Sequence, residues 1–459
     1  MSAGLPLIAG DGLDAPLAWR DGRPIARRQY LADVQALAAR LPAGGPMLNV
    51  TADRYRFAVG LGAAMLRGQS NLMPPNHTAD TVARLRELFP GTYGLTDAAE
   101  PGLALPLVRH DDDHAAAMSL TDAIPQLPDA MLAAQVLTSG STGAPVPHAK
   151  HWGLLTRNTR AGAQRLAREM GRASLAGVTL VATVPPQHMY GFESTVLAAL
   201  LGGAAFDAGR PFFPADIVRA LERAPRPRML VTTPFHLKTL LDAGLALPAI
   251  DLTLCATAPL SPQLAARAEA MLGAPLMEIY GCTEAGQVAS RRPTHGIEWH
   301  TYDGLQLSGN GAETIVQGGH VPQPTPLADV IEVIDATTFR LLGRSNDLIN
   351  IAGKRSSLGH LNYHLNMIPG VHDGAFWLPP DDASGAVVRL IAFAVAPELT
   401  PQALHERVVK AMRERVDAAF LPRRVLQVAS LPREPATAKL PAVPFAAWAE
   451  RMLAAASKD

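Results

Sequence analysis

Val136-Leu137-Thr138-Ser139-Gly140-Ser141-Thr142-Gly143 places an apolar run directly before a turn built only of hydroxyls and glycines. Glycines let a backbone approach a phosphate closely, and Ser and Thr hydroxyls with exposed N–H groups donate to its oxygens. The spacing is not that of a Walker A loop, and taken alone the segment reads equally well as a polar turn. Its surroundings decide the fold. Apolar runs at Met47–Thr51, Val178–Val184, Met229–Thr233, Leu252–Ala256 and Leu276–Tyr280 read as buried strands. Helical patterns at Thr78–Leu88, Trp152–Met170 and Gln263–Leu272 lie among them. Such alternation implies an α/β fold with a largely parallel, helix-covered sheet.

From Gly304 to Phe339 the texture changes to Gly, Pro and short alternating stretches, which predicts a small antiparallel, barrel-like region. Beyond Gly343 the pattern predicts a small α+β unit: a helix at Leu358–Asn366, a strand at Ala386–Val395, a long helix at Pro401–Phe420 and a strand at Arg424–Val428. The long helix rests on Leu404, Val408, Met412 and Val416 at four-residue spacing. The expected division is a large N-terminal domain over 1–343, a hinge at 344–347 and a C-terminal domain over 348–459.

The chain has 459 residues, 48% hydrophobic and 18% charged, enough for a sizeable core in two or three domains. Forty-one basic residues balance 41 acidic ones, which argues against a nucleic-acid partner. Two distant cysteines, Cys255 and Cys282, exclude a disulfide scaffold or zinc ribbon and read as small packing residues. With no secretory leader and no membrane-length apolar run, the expectation is a soluble cytoplasmic protein without a membrane partner. Oligomeric state is not legible. Only six of the basic residues are lysine, among them Lys150 and Lys439, so a lysine inside a motif stands out.

Three further segments follow predicted strands or the barrel-like region: Pro185-Pro186-Gln187-His188-Met189-Tyr190-Gly191, Tyr280-Gly281-Cys282-Thr283-Glu284, and Gly343-Arg344-Ser345-Asn346-Asp347. In open α/β sheets ligands bind beyond the carboxyl ends of strands, where such segments would meet. Their order and spacing resemble the adenylate-forming superfamily of acyl-CoA synthetases, peptide-synthetase adenylation domains and luciferases. The resemblance runs from the Thr138 loop to Lys439.

That resemblance implies the following roles. Thr138, Ser139, Gly140, Ser141, Thr142 and Gly143 match the loop that holds the β- and γ-phosphates of ATP. Thr283 and Glu284 match the pair that binds the α-phosphate and Mg²⁺, a hard cation suited to a carboxylate shared with phosphates. Ala256, Thr257 and Ala258 match the segment beside adenine, with Tyr280 and Gly281 also counted as nucleotide contacts. Asp329 and Arg344 match the ribose-binding pair. His188 matches an acyl-pocket position that is also counted with the catalytic residues, and Tyr190, Gly191, Phe192 and Gly281 are expected to line the same pocket. Asp347 matches the pivot about which the mobile C-terminal domain turns. Lys439 matches the catalytic lysine, whose ammonium would stabilise the charge that develops as a carboxylate attacks the α-phosphorus.

The sequence departs from the family in places. Val146 stands where the phosphate loop usually carries lysine, leaving open whether Lys150 curls back to replace it. Ala438 replaces the usual glycine before the catalytic lysine, and Asp329 sits in Pro326-Leu327-Ala328-Asp329. His360 and His364, four apart on a predicted helix, lack a third metal ligand. The implied activity is an ATP- and Mg²⁺-dependent acid–thiol ligase. It makes an acyl-adenylate and passes the acyl group to a phosphopantetheine thiol of CoA or an acyl carrier protein. The short chain and its Ser-Thr-Gly-Ala-Pro-Val-Pro-His segment look similar to ligases of bacterial aryl-polyene and xanthomonadin-type pathways, which favours a small aryl acid such as a hydroxybenzoate. The alternatives are a medium- or long-chain fatty acyl ligase, adenylation with hydrolysis or another acceptor, and a non-catalytic adenylate-binding protein.

Overall fold

Two sheets with parallel centres face each other across one apolar layer, in a computed structural model that describes residues 4–9, 12–110, 122–139, 145–258, 260–309, 313–344, 348–351, 354–379, 389–434 and 440–456. The smaller sheet has six strands in the order Pro145–His151, Leu132–Ser139, Asn71–Met73, Met47–Asn49, Tyr93–Thr96, Leu107–Arg109. All neighbours are parallel except the first pair. The edge strand Pro145–His151 has no counterpart among the sequence expectations. It carries Pro145 and Pro147, and proline cannot donate to a ladder, so such a sequence forms a strand only at an edge.

The larger sheet has eleven strands. Its centre is parallel: Pro16–Arg20, Ala205–Asp207, Thr179–Ala182, Arg228–Thr232, Leu252–Cys255 and Leu276–Cys282 lie side by side. Strands buried on both faces read as continuous apolar runs, which is why these were legible. Helices Pro214–Arg223, Pro234–Asp242 and Pro262–Leu272 cover one face through Ile217, Leu221, Leu237, Leu240, Ala265 and Leu272. The other face meets the layer shared with the six-stranded sheet.

The Gly304–Phe339 region forms a three-stranded antiparallel sheet of Leu305–Gly309, Thr314–Gly318 and Val321–Leu327. Strands Asp329–Val333 and Thr338–Arg344 instead extend the edge of the large sheet. Val316, Leu327, Ile331 and Phe339 fill one core between the two. The last part of the chain has cores of its own around Leu361, Phe376, Leu404 and Val408, and around Phe393, Phe445 and Ala449. The predicted long helix is shorter than expected: it ends at Arg413, and Asp417 caps a separate 3₁₀ turn at Ala418–Phe420 by accepting the Ala419 N–H. Val416, counted with its apolar stripe, lies beyond that end. The strand expected from Ala386 begins at Ile391, and 380–388 are outside the described residues. No helix among the described residues is long and apolar enough to cross a membrane.

One buried cation ties the two sheets together. Arg54, the first residue of helix Arg54–Leu66, is 1% exposed. Its guanidinium donates to Thr195 Oγ1 (2.8 Å) and to the carbonyls of Ala182 (3.2 Å) and Val184 (2.9 Å), at the end of a central strand. Burial lowers its pKa to about 10, so it stays charged at neutral pH. Replacing it with methionine leaves two buried carbonyls without their donor. Arg54→Met is expected to lower unfolding stability by about 3 kcal/mol, measured as a fall in the urea midpoint.

Candidate active site

The parallel strands Thr179–Ala182, Arg228–Thr232, Leu252–Cys255 and Leu276–Cys282 end next to one another, and three of the sequence motifs leave from these ends. Past Ala182, Thr183 and Thr232 share a hydroxyl hydrogen bond at 3.0 Å, and Gln187 donates to the Thr51 carbonyl at 2.7 Å. Met189–Gly191 makes one helical turn, capped by His188, whose Nδ1 accepts the Tyr190 N–H at 3.2 Å. His188 is exposed. Tyr190 is buried and donates its hydroxyl to the Leu254 carbonyl at 2.9 Å, bridging two strand ends. Gly191 passes so close to Pro185 that a Cβ would lie 2.1 Å from its carbonyl oxygen. Phe192 is fully buried edge-on to Phe57, at 6.3 Å between centroids. It is a core residue where the sequence suggested a pocket wall.

Past Cys255 comes Ala256-Thr257-Ala258. Thr257 holds φ at +83°, a strained conformation for a β-branched residue that costs about 1–3 kcal/mol and gathers at functional sites. Cys255 is buried, which pushes its thiol pKa up, so it packs and does not react.

Past Cys282 the chain turns through Thr283 and Glu284 into strand Gly286–Arg291. At Gly281 a Cβ would lie 2.3 Å from the Gly286 carbonyl oxygen, beside a register irregularity between Tyr280 and Gly281. The tightness of the hairpin therefore explains that glycine. The Glu284 carboxylate is about half exposed, with His148 Nε2 at 3.8 Å. No group of three His, Cys, Asp or Glu forms a ready cation cage among the described residues. One open carboxylate is what Mg²⁺ needs when most of its ligands are phosphate oxygens and water, so the donor set fits. His360 and His364 pack edge to face at 4.5 Å without a third ligand.

Across the hairpin, Asp329 stands directly opposite Arg344 in the antiparallel ladder. The Tyr280 hydroxyl donates to Asp329 Oδ2 at 2.7 Å, while its ring packs against Trp299 and Phe339. Tyr280 thus acts through Asp329, orienting its carboxylate. Thr138 and Ser139 end strand Leu132–Ser139. Gly140, Ser141, Thr142, Gly143, Asp347 and Lys439 lie outside the described residues, as does the side chain of Arg344.

Lys150 does not take the place of the lysine missing at Val146. The two share one strand face four residues apart, about 13 Å along the strand. Val146 is exposed, whereas Lys150 is buried and donates to the Thr283 carbonyl. Burial lowers its pKa, opposed chiefly by the charge of Glu193. Glu193, not singled out in the sequence, is buried in the π-helical segment Phe192–Leu197 and accepts from Asn158 Nδ2 at 2.5 Å. Burial pushes its pKa up to about 7. A glutamate within the apolar run Phe192–Leu201 was the available signal.

Residues 91–342, more than half of the chain, match the AMP-binding enzyme family. A 4-coumarate–CoA ligase of Halorhodospira halophila is 30% identical over 316 residues, covering 64% of this chain and 72% of that protein. One of Rhodobacter capsulatus is 29% identical over 285 residues, covering 62% and 69%. Apo MatB from Rhodopseudomonas palustris superposes with a TM-score of 0.78 at 17% identity, over 97% of both chains, which shows the fold. The motif order and the family match agree: this chain belongs to the AMP-binding enzyme family, within the adenylate-forming superfamily.

Proposed function

We propose that this AMP-forming acid–thiol ligase activates a small aryl acid and delivers it to a phosphopantetheine thiol of CoA or an acyl carrier protein. The observation that supports the reading is that the segments Pro185–Gly191, Ala256–Ala258 and Thr283–Glu284 each follow a parallel strand of the large sheet, with Tyr280 hydrogen-bonded to Asp329. Similarity to 4-coumarate–CoA ligases supports an aromatic acid. Tyr190, pinned to the Leu254 carbonyl, supports a short, rigid pocket. A medium- or long-chain acid would need room beyond that wall.

In the first half-reaction a carboxylate oxygen bonds to the α-phosphorus of ATP and the bond to the bridging oxygen breaks, releasing pyrophosphate. Asp329, oriented by Tyr280 and opposite Arg344, would take the ribose hydroxyls. Ala256–Ala258 would flank adenine. Thr283 would donate to the α-phosphate, and the 138–143 loop would hold the β- and γ-phosphates. Glu284 would hold Mg²⁺, which supplies charge neutralisation to the phosphates when bound. Lys439 would place its ammonium on the attacking and bridging oxygens. In the second half-reaction the thiol, on losing its proton, attacks the acyl carbonyl, and AMP leaves. These steps make opposite demands on Lys439, so the C-terminal part, 348–459, is proposed to rotate about 344–347 against 1–343.

Three outcomes test the reading. Lys439→Ala should lower ATP–pyrophosphate exchange by about three orders of magnitude or more while still converting a supplied acyl-adenylate to thioester. Near-normal exchange would overturn its assignment. Asp347→Pro fixes φ near −65° and removes an N–H. It should retain adenylation and lose about tenfold or more in thioester formation, because a hinge must reach two backbone states; wild-type rates in both would place the pivot elsewhere. In a panel of acids, a hydroxybenzoate or benzoate should exceed octanoate in kcat/KM for exchange, because a rigid short pocket is overpacked by an extended chain. A preference for octanoate or longer acids would replace the aryl reading with a fatty-acid one, and no exchange with any acid would favour the non-catalytic reading. Comparing CoA with a carrier protein then identifies the acceptor.

A further inference from the structure

Beneath the Thr283–Glu284 turn lies a polar layer that the roles above leave unused. Strand Pro145–His151 contributes Lys150, which donates to the Thr283 carbonyl from a buried position. Helix Trp152–Glu169 contributes Asn158, and the π-helical segment Phe192–Leu197 contributes Glu193; the two share a 2.5 Å hydrogen bond. The other end of the turn rests on that pair. Gly286 has φ at +78°, and a Cβ there would lie 2.6 Å from Asn158 Nδ2 and 3.0 Å from Glu193 Oε1. The next residue, Gln287, donates to Ser194 Oγ at 3.2 Å. The turn is therefore held at one end by the Lys150 hydrogen bond and closely packed at the other against Asn158 and Glu193, side chains drawn from three elements.

We infer that Lys150, Asn158 and Glu193 are positioning residues that fix the height and tilt of the Thr283–Glu284 turn for adenylation. The inference rests on the proposed roles of Thr283 and Glu284. Lys150 acts through the Thr283 carbonyl, and so on the residue whose hydroxyl and N–H would meet the α-phosphate. Glu193 and Asn158 act through Gly286, two residues beyond the carboxylate that would hold Mg²⁺. Buried ionisable groups are a costly way to fill a core, since taking them out of water outweighs much of any attraction they gain. Apolar residues of the same size would stabilise the fold as well or better. What the charged layer supplies is a directional hold on one carbonyl. It also gives this chain, with valine at 146, a lysine that serves the nucleotide site from a different strand position. π-Helical turns recur where a side chain must be aimed at a functional site, and Glu193 sits in one.

The experiment compares full-length wild type, Lys150→Met, Glu193→Gln and the double variant in ATP–pyrophosphate exchange, with melting temperatures measured alongside. The acid is whichever one the wild type activates best. Lys150→Met should lower exchange kcat by about 30-fold or more, because a displaced catalytic contact costs rate steeply, while KM for the acid stays within about threefold. Glu193→Gln, nearly isosteric, should lower kcat by about fivefold or more. The double variant removes the buried cation and the buried acid together, so its melting temperature should return to within about 2 °C of wild type, while kcat stays about tenfold or more below it. Recovery of stability without recovery of rate is the signature of positioning. A double variant that exchanges within threefold of wild type would overturn the inference, as would single variants whose rate loss only follows their folded fraction. Wild type that exchanges with no acid would instead overturn the ligase reading on which the inference rests.

Discussion

The geometry of the site depends on a guanidinium that never reaches solvent. Arg54 begins a helix packed on the six-stranded sheet and ends on the carbonyls of Ala182 and Val184, at the tip of a strand in the eleven-stranded sheet. From that tip runs the segment that carries His188 and Tyr190. Hydrophobic burial between the two sheets is large but non-directional, so it leaves them free to slide. Three charge-assisted hydrogen bonds, two at the strand end and one to Thr195 in the π-helical segment, are directional and fix the relative position. Thr195, one of the three acceptors, also donates to the Gly191 carbonyl at 2.5 Å, which extends the constraint to the turn after His188.

The crevice divides its work between backbone and side chain. Parallel strands supply carboxyl ends in a row, and the residues just past each end are held by contacts to neighbouring ends: Thr183 to Thr232, Tyr190 to Leu254, Lys150 to Thr283. Each contact is modest alone. Together they leave little freedom to the loops, and preorganised groups stabilise charge at little reorganisation cost. Glu284 differs, since it stands half exposed above a buried layer. A carboxylate in that setting keeps its hydration, whereas the residues beneath it give theirs up.

How much of this could be read from the chain follows from what each feature needs. Buried parallel strands need only a continuous apolar run, so Thr179–Ala182, Arg228–Thr232 and Leu252–Cys255 were legible nearly to the residue. The Asp329–Arg344 ladder pairing was not legible from spacing: the family resemblance named the two residues together, and the antiparallel register sets them opposite each other. Strand Pro145–His151 was hidden because its prolines read as a loop unless the strand is known to lie at an edge. The helix from Pro401 was drawn too long because Val416 continued the apolar spacing past Arg413, where the backbone leaves the helix. Phe192 was misread as a pocket residue because an aromatic beside a motif looks the same whether it faces a crevice or Phe57. The Lys150–Asn158–Glu193 layer was illegible as a unit: its members come from a strand, a helix and a π-helical turn, and Asn158 and Glu193 are 35 residues apart. Only the rarity of lysine and an acid within an apolar run hinted at it.

The proline-bearing edge strand has a consequence for how copies of this chain meet. An exposed edge is a template on which a second molecule's strand can pair, and it is a common starting point for aggregation. Here the outermost strand of the six-stranded sheet lacks backbone donors at Pro145 and Pro147, and its pairing with the next strand is irregular between Lys150 and His151. An incoming strand would find a broken ladder. In the sequence that strand follows directly on the segment to which the family resemblance gives the phosphate-loop role. The same two prolines that confine this strand to the edge of its sheet thereby also protect that edge against self-association.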